Sequence, residues 1–201
     1  SDLAMSLASS SRSRARPRRA ARGFTLTELM AVVVITGVLA AVGTTMFRQH
    51  ILESRTIETT SMIRSIAAAQ ERFRAENLMY LDVSGGNLSS YYPSAEVGAT
   101  KRDWTNADHA DFNRWRLLAP TVPGPVQFGY SCIAGGPGVV DADPGLQVDL
   151  TGVWPDRFQM PWYVIQAVGD VDEDGHSTYF VGASFTSQIF SGGGVEVSDD
   201  D

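Results

Sequence analysis

The stretch RGFTLTELMAVVVITGVLAAVGTTMF, residues 22–47, decides how this chain is organised. From Leu29 to Phe47 it contains no Asp, Glu, Lys or Arg, a run of nineteen residues. As a helix this run is about 28 Å long at ~1.5 Å per residue, enough for a bilayer core of about 30 Å. The stretch therefore predicts a helix that crosses a membrane.

The charges on either side of this run indicate its orientation. Residues 6–22 are basic and rich in Ser, and they lack the apolar run of a secretory signal. On the other side only Arg48 and Arg55 follow closely. Because cytoplasmic flanks carry the excess of Lys and Arg, we expect the leader in the cytoplasm and the rest of the chain outside it.

One carboxylate, Glu28, lies at the start of the apolar run. A carboxylate within a membrane is costly and usually has a partner. Cleavage after Gly23 would create one, a positive amine on Phe24, and the first helical turn also favours an anion. In a filament, the amine of an incoming subunit could neutralise Glu28 of a neighbour and so set the register of assembly.

The nine residues RGFTLTELM, 22–30, resemble the processing site of type IV pilins and type II secretion pseudopilins. In that family a prepilin peptidase cuts after the Gly and methylates the new amine. The resemblance assigns cleavage to Gly23, methylation to Phe24 and assembly to Glu28, and it continues through the apolar stretch to about residue 47. Two features differ: the Pro that many pilins have near the end of the membrane half is absent, and the leader is longer than usual.

Two other interpretations of the N-terminus remain. An uncleaved membrane anchor explains the apolar run and its orientation, but not Gly23 and Phe24 together with Glu28. Cleavage by ordinary signal peptidase after Gly43 is conceivable, because small residues lie there.

Periodicity and resemblance together predict an α+β fold, in which a long N-terminal helix packs on a C-terminal antiparallel β-sheet. Residues 48–78 contain no Pro or Gly, and their apolar residues recur at helical spacing, at Met62, Ile66, Ala69 and Phe73. We therefore expect one helix over 24–78. The predicted domains are a cleaved basic leader (1–23), a membrane or filament-core half of the helix (24–48), an extracytoplasmic head (49–191) and a flexible acidic tail (192–201).

The second half of the chain has the pattern of a sheet. Residues 79–125 are mixed in polarity, and within them 106–118 could form a short helix. After Pro125, β-type runs alternate with Gly, Pro and Asp turns. The runs predict strands at 126–133, 146–150, 162–168 and 178–185.

Composition limits the partners of the chain. The formal net charge is −7, and because residues 1–23 hold six Arg and one Asp, the remaining chain carries −12. An acidic surface repels phosphate backbones, so we expect no nucleic-acid partner. The single Cys132 cannot form an internal disulfide. A buried thiol is the expected state, and pairing between chains is the alternative.

A candidate metal site is formed by Asp170, Asp172 and Asp174, which alternate and are followed by Gly175. Calcium takes six to eight oxygen ligands, and some proteins of the resembled family use it in C-terminal loops. The EF-hand pattern is not met, because position twelve counted from Asp170 is Val181 rather than Glu. A calcium site and a plain acidic hairpin turn both remain open.

No catalytic set is visible, so we expect the protein not to be an enzyme. His50, His109 and His176 are scattered, and no nucleophile motif surrounds Cys132. Four Trp residues could offer a sugar-binding platform, but aromatic residues so far apart more often lie in a core.

The resemblance implies a structural subunit of a type IV pilus or related filament that serves adhesion, motility or secretion. Its expected partners are copies of itself or related pilins in a helical filament, prepilin peptidase, and the inner membrane before assembly. The precursor would have its head in the periplasm, and the assembled subunit would lie in an extracellular pilus or a periplasmic pseudopilus. The alternatives are a type II secretion pseudopilin and a minor tip pilin whose head is a binding module.

Overall fold

The computed structural model describes residues 23–95, 98, 100–138, 144–170, 172 and 174–193. The chain divides into two compact units, Ser1–Thr45 and Met46–Asp201, each described here by itself. The leader before Gly23, the acidic residues Asp141 and Asp143, and the predicted tail from 194 onward lie outside the described residues.

The longest element is α1, Leu26–Asn77, which has 52 residues. It agrees with the helix predicted over 24–78. In the N-terminal unit its apolar side chains are exposed. The segment Leu26–Thr44 has the length and composition to cross a membrane, and in the described part of the chain it is the one helix that does.

In the C-terminal unit, which we call the head, α1 is amphipathic and its buried stripe is the predicted one. Met62, Ile66 and Ala69 are buried, and Phe73 packs against them. The helix approaches the sheet closely at Gly182, where a Cβ would lie 2.8 Å from Ile63 Cγ2. A larger residue at this position would require the Ile63 side chain to shift.

The sheet is an antiparallel meander in the order β1-β2-β3-β4. Its strands are β1 Gly129–Gly135, β2 Trp162–Gly169, β3 Thr178–Ala183 and β4 Ile189–Gly193. All eight residues of β2 are buried, because both faces of the sheet are covered. Tyr163 and Ile165 join the α1 cluster, whereas Trp162 and Val164 join a second cluster with Leu150 and Phe158.

The predicted short helix over 106–118 is shorter in the structure, where α2 is Phe112–Leu118. Side chains before it bind nearby backbone amides instead: Asn106 Oδ1 accepts from the Asp108 amide, and His109 Nδ1 accepts from the Asp111 amide. Such local hydrogen bonds compete with helix formation.

One predicted strand is absent, one strand was not predicted, and one begins later than predicted. Leu146–Leu150 is not a strand, because the Gln147 amide donates to the buried Gln166 side chain, at 2.9 Å, rather than to a neighbouring strand. The strand β4 was not predicted, and it includes Gly192 and Gly193, which were assigned to the tail. The strand predicted from 126 begins at Gly129, since Val126 forms an isolated bridge with Arg102.

Candidate assembly and metal sites

Glu28 lies in the first turn of α1 and is hydrogen-bonded to the residue that precedes the helix. The Glu28 amide donates to Thr25 Oγ1 at 3.2 Å, and the Thr25 amide donates to Glu28 Oε2 at 3.4 Å. This reciprocal pair is a capping box, which satisfies two amides that the helix itself leaves unpaired. This capping box was not predicted, although Thr25-Leu26-Thr27-Glu28 carries its pattern.

The side chains around Glu28 are exposed. Phe24 is 75% exposed, Leu26 equally so, and the large apolar residues up to Phe47 are all exposed as well. Apolar surface of this extent is stabilised by lipid or by other apolar helices. The Glu28 carboxylate therefore lies at the polar end of a segment that requires an apolar partner.

The Asp170, Asp172 and Asp174 carboxylates are brought together, as predicted, in the hairpin between β2 and β3. One oxygen from each lies within 4.8 Å of the others. The Gly175 amide donates to Asp170 Oδ2 at 3.0 Å, and the His176 amide donates to Asp174 Oδ1 at 2.8 Å. Gly175 has φ +89°, so the turn that gathers the three side chains requires a residue without a Cβ.

These residues fit a calcium ion. Asp170 Oδ1 is buried and has no hydrogen-bond partner among the described residues. A buried carboxylate oxygen without a donor is costly, and a cation beside it would remove that cost. Asp172 and Asp174 are exposed and could supply two further oxygen ligands.

Cys132 and the histidines do not form a site with one another. Cys132 is fully buried in β1 and accepts a hydrogen bond from Gln70 Nε2 at 3.1 Å. Burial raises the pKa of its thiol to about 12, although the Gln70 hydrogen bond opposes this shift. His109 binds the Tyr91 carbonyl oxygen at 3.0 Å, and His176 is exposed in the hairpin.

The Trp residues lie in or beside the two cores rather than on a flat surface. Trp115 is buried and stacks on Tyr92, with ring centroids 5.7 Å apart. Trp162 is buried and stacks on Phe158 at 4.7 Å. This agrees with the core interpretation of the aromatic residues.

Comparison with known proteins identifies the N-terminal segment. Residues 18–44 match the family model of the prokaryotic N-terminal methylation motif. This match contains Gly23, Phe24 and the capping box of Glu28.

Two curated relatives extend the similarity into the head. The chain is 36% identical over 94 residues to the type IV major pilin protein PilA of Myxococcus xanthus, a match that covers 43% of this chain and 42% of that protein. It is 29% identical over 126 residues to the type II secretion system core protein G of Pseudomonas aeruginosa, covering 59% of this chain and 87% of that protein. The chain thus spans less than half the length of the first of these relatives. No solved structure matched.

The chain is thus similar to a type IV pilin and to a type II secretion pseudopilin, and its N-terminal segment carries the methylation motif. The architecture of the chain, an N-terminal apolar helix followed by a head with a four-stranded antiparallel sheet, is that of a pilin.

A cleft in the head was not predicted from the sequence. It has a volume of about 280 Å³ and lies beside Arg74 and Tyr80 from the end of α1 and Arg157 from the loop before β2. Arg157 lies more than 75 positions after Arg74 and Tyr80 in the chain, so only the fold brings it beside them.

Proposed function

We propose that this chain is a subunit of a type IV pilus or a related filament, trimmed after Gly23 and assembled through its N-terminal helix. The observation that carries the proposal is the position of Glu28. It is the one carboxylate within an exposed apolar segment, and it lies among the residues that match the methylation motif. The proposed filament serves adhesion, motility or secretion and is not enzymatic.

Processing would give Glu28 its partner. Prepilin peptidase would cut between Gly23 and Phe24 and methylate the Phe24 amine, which remains a cation. In the filament this amine would lie beside the Glu28 carboxylate of a neighbouring subunit. Oppositely charged groups attract strongly where lipid and apolar helices exclude water.

The location of the protein follows from this course of assembly. The precursor would lie in the inner membrane with its head in the periplasm. The assembled subunit would lie in an extracellular pilus or a periplasmic pseudopilus.

The proposal is tested on filaments sheared from cells that express the full chain. We expect mass spectrometry of the fibre subunit to give a chain that begins at Phe24 with one added methyl group. A terminus near Thr44, or a retained leader in assembled protein, would contradict the proposed processing.

A type II secretion pseudopilin is the second candidate. It is favoured by the match to core protein G, which covers 87% of that protein. A pilus subunit should be abundant in the sheared surface fraction. A pseudopilin should be scarce there, and its deletion should instead block secretion.

We also propose that the Asp170–Asp174 hairpin binds one calcium ion. The proposal is supported by the convergence of three carboxylates within 4.8 Å and by the unpartnered oxygen of Asp170. The backbone near His176 or a more distant carboxylate would complete the ligand set. The ion would order the hairpin by reversing the sign of the interaction between its negative charges.

A further inference from the structure

The cleft beside Arg74 and Arg157 has aromatic walls and cationic edges. Phe158 and Trp162 stack at 4.7 Å, and Phe185 lies 5.3 Å from Phe158, measured between ring centroids. The cleft is about 280 Å³ in volume and opens where α1 ends and β2 begins. An occupant would therefore contact apolar rings and meet positive charge at the same time.

Neither arginine of this cleft forms an ion pair in the described part of the chain, although Tyr80, which contacts Arg74, also donates from its Oη to Glu71 Oε1 at 2.8 Å. Arg74 Nη1 donates to Tyr80 Oη at 2.9 Å, and the guanidinium carbon lies 5.1 Å from the centre of the Tyr80 ring. Arg157 is exposed, with Asp156 beside it in the sequence as the nearest acidic residue along the chain. At the rim, Met160 is 65% exposed. On a protein with a net negative charge, this is a surface suited to an anionic partner.

The acidic hairpin lies at the opposite end of the head. Trp162 at the cleft begins β2 and Asp170 follows its last residue, so the two ends are about 23 Å apart at ~3.3 Å per residue. Asp172 of the hairpin and Thr56 of α1 line the same groove, whereas the cleft is lined by Arg74 near the other end of the head's part of α1. These two helix positions are about 27 Å apart at ~1.5 Å per residue.

We propose that the acidic hairpin of one subunit docks into the Arg74–Arg157 cleft of the next subunit. The proposal rests on the proposed function, in which the chain assembles into a filament. Its basis is charge complementarity between two patches of the same molecule. Residues 170–174 carry four carboxylates, so the hairpin stays anionic even with one divalent cation bound.

The positions of the two patches suit a filament. Because they are different surfaces at opposite ends of the head, their contact is heterologous. Repetition of such a contact cannot give a closed dimer, and it gives an open helical array where the rotation between subunits does not close a ring. The line between the patches follows α1, so the contact has the same polarity as the helix. The aromatic walls would exclude water around the ion pairs and strengthen the attraction.

Cysteine cross-linking in assembled filaments tests this contact. Gln159→Cys places a thiol at the cleft and His176→Cys places one in the hairpin; both residues are exposed, and neither change removes a proposed calcium ligand or an arginine. The native Cys132 is buried and supplies little background reaction. The full chain is expressed in cells, and sheared fibres are treated with a short bis-maleimide.

We expect the double-cysteine chain to give a ladder of covalent multimers. The two thiols of one subunit are too far apart to react with each other, so a ladder requires contact between subunits. Each single-cysteine chain alone should stay monomeric, and the two co-expressed should give a dimer and no larger species. Fibres that form normally but give no ladder overturn the proposal.

A second experiment uses no introduced cysteine and compares Arg157→Glu with Arg157→Lys in the full chain. The lysine variant keeps the charge and should enter fibres, whereas the glutamate variant should be incorporated at least several-fold less. Equal incorporation of the two would overturn the docking contact even if the cysteine variants do not assemble. Absence of fibres from the wild-type chain would instead contradict the proposed function, so the two failures are distinguishable.

Discussion

Thr25 and Glu28 exchange hydrogen bonds across the first turn of α1, with the Glu28 amide 3.2 Å from Thr25 Oγ1 and the Thr25 amide 3.4 Å from Glu28 Oε2. The carboxylate thus uses one oxygen to cap its own helix. In the described chain the other oxygen, Oε1, accepts no hydrogen bond. A capped subunit can therefore still offer an oxygen to a second cation.

Two substitutions at Glu28 separate the capping role from the charge. Gln can complete a capping box, so Glu28→Gln keeps the cap and removes the charge, whereas Glu28→Leu removes both. We expect both variants to insert in the membrane, since loss of a charge makes the segment more apolar, and both to be lost from fibres. Membrane and sheared-fibre fractions are compared by immunoblot.

The pattern of the two results decides which role matters. If Glu28→Gln assembles like the wild type while Glu28→Leu does not, the cap rather than the charge is required. Wild-type assembly by Glu28→Leu would show that the pairing with the Phe24 amine is unimportant.

Gln70 links α1 to the chain that follows it. It is fully buried; its Nε2 donates to the Leu81 carbonyl at 2.7 Å, and its Oε1 accepts from the Leu81 amide at 2.9 Å. Gln70→Leu removes the partner of two partly buried backbone groups, so we expect it to lower the free energy of unfolding by about 1–3 kcal/mol. Urea unfolding of the full chain in detergent, followed by Trp fluorescence, measures this loss.

Gln188→Leu is the matched control, because the Gln188 side chain is exposed. It makes the same chemical change and should alter the free energy of unfolding by less than about 0.5 kcal/mol. A similar loss in both variants would mean that the hydrogen bonds of Gln70 do not stabilise the head.

The long helix and the two central strands were predictable because each has a strong local signal. The stripe of Met62, Ile66 and Ala69 is buried as its spacing predicts, and β2 and β3 follow two apolar runs on either side of an acidic turn. The Asp170–Asp174 cluster was predictable for the same reason. Its members are close in sequence, so one tight turn suffices to bring them together.

The wrong predictions share a different cause, which is that the structure of each segment depends on a contact outside the segment itself. Leu146 and Val148 alternate like a strand, but their backbone is held by Gln166, nineteen residues beyond Gln147, so no ladder forms. The strand β4 carries a Gly-rich sequence and exists because β3 offers it an edge to pair with. Tertiary context decides such segments, because β-propensity depends on the neighbouring strands.

The burial of the Cys132 thiol leads us to expect a lower free energy of unfolding at alkaline pH. Burial raises the pKa of its thiol from 9.0 to about 12, and burial likewise raises the pKa of Tyr91 from 10.0 to about 12. Above pH 9 the unfolded chain loses protons that the folded chain keeps, so the free energy of unfolding should fall as pH rises from 9 towards 12. One such group contributes a slope of up to about 1.4 kcal/mol per pH unit.

Cys132→Ala isolates the thiol, since the variant keeps the tyrosines. Between pH 9 and 10 the wild-type free energy of unfolding should fall more steeply than that of the variant, as measured by urea unfolding at several pH values. Slopes are compared rather than absolute stabilities, because the substitution also leaves a cavity. Equal slopes would show that the thiol ionises as readily in the folded protein as in the unfolded one.

The proposed calcium site predicts a stabilisation that depends on the ion. Bound calcium should raise the free energy of unfolding by RT ln(1 + [L]/Kd), about 2.7 kcal/mol when free calcium is a hundredfold above Kd. Thermal unfolding of the full chain in detergent is followed with calcium, with magnesium and with chelator. Magnesium should have the smaller effect, because it demands octahedral geometry and loses its water reluctantly.

Paired substitutions locate this stabilisation in the hairpin. Asp172→Asn with Asp174→Asn preserves side-chain shape, including an oxygen for the His176 amide, but removes two charges, so the calcium shift should disappear. Asp156→Asn removes one exposed carboxylate elsewhere and should leave the shift intact. A calcium shift that survives in the double variant would place the ion outside the hairpin, for which Asp141 and Asp143 are the next candidates. A wild-type midpoint that is the same in millimolar calcium and in chelator would make Asp170–Asp174 a plain acidic turn.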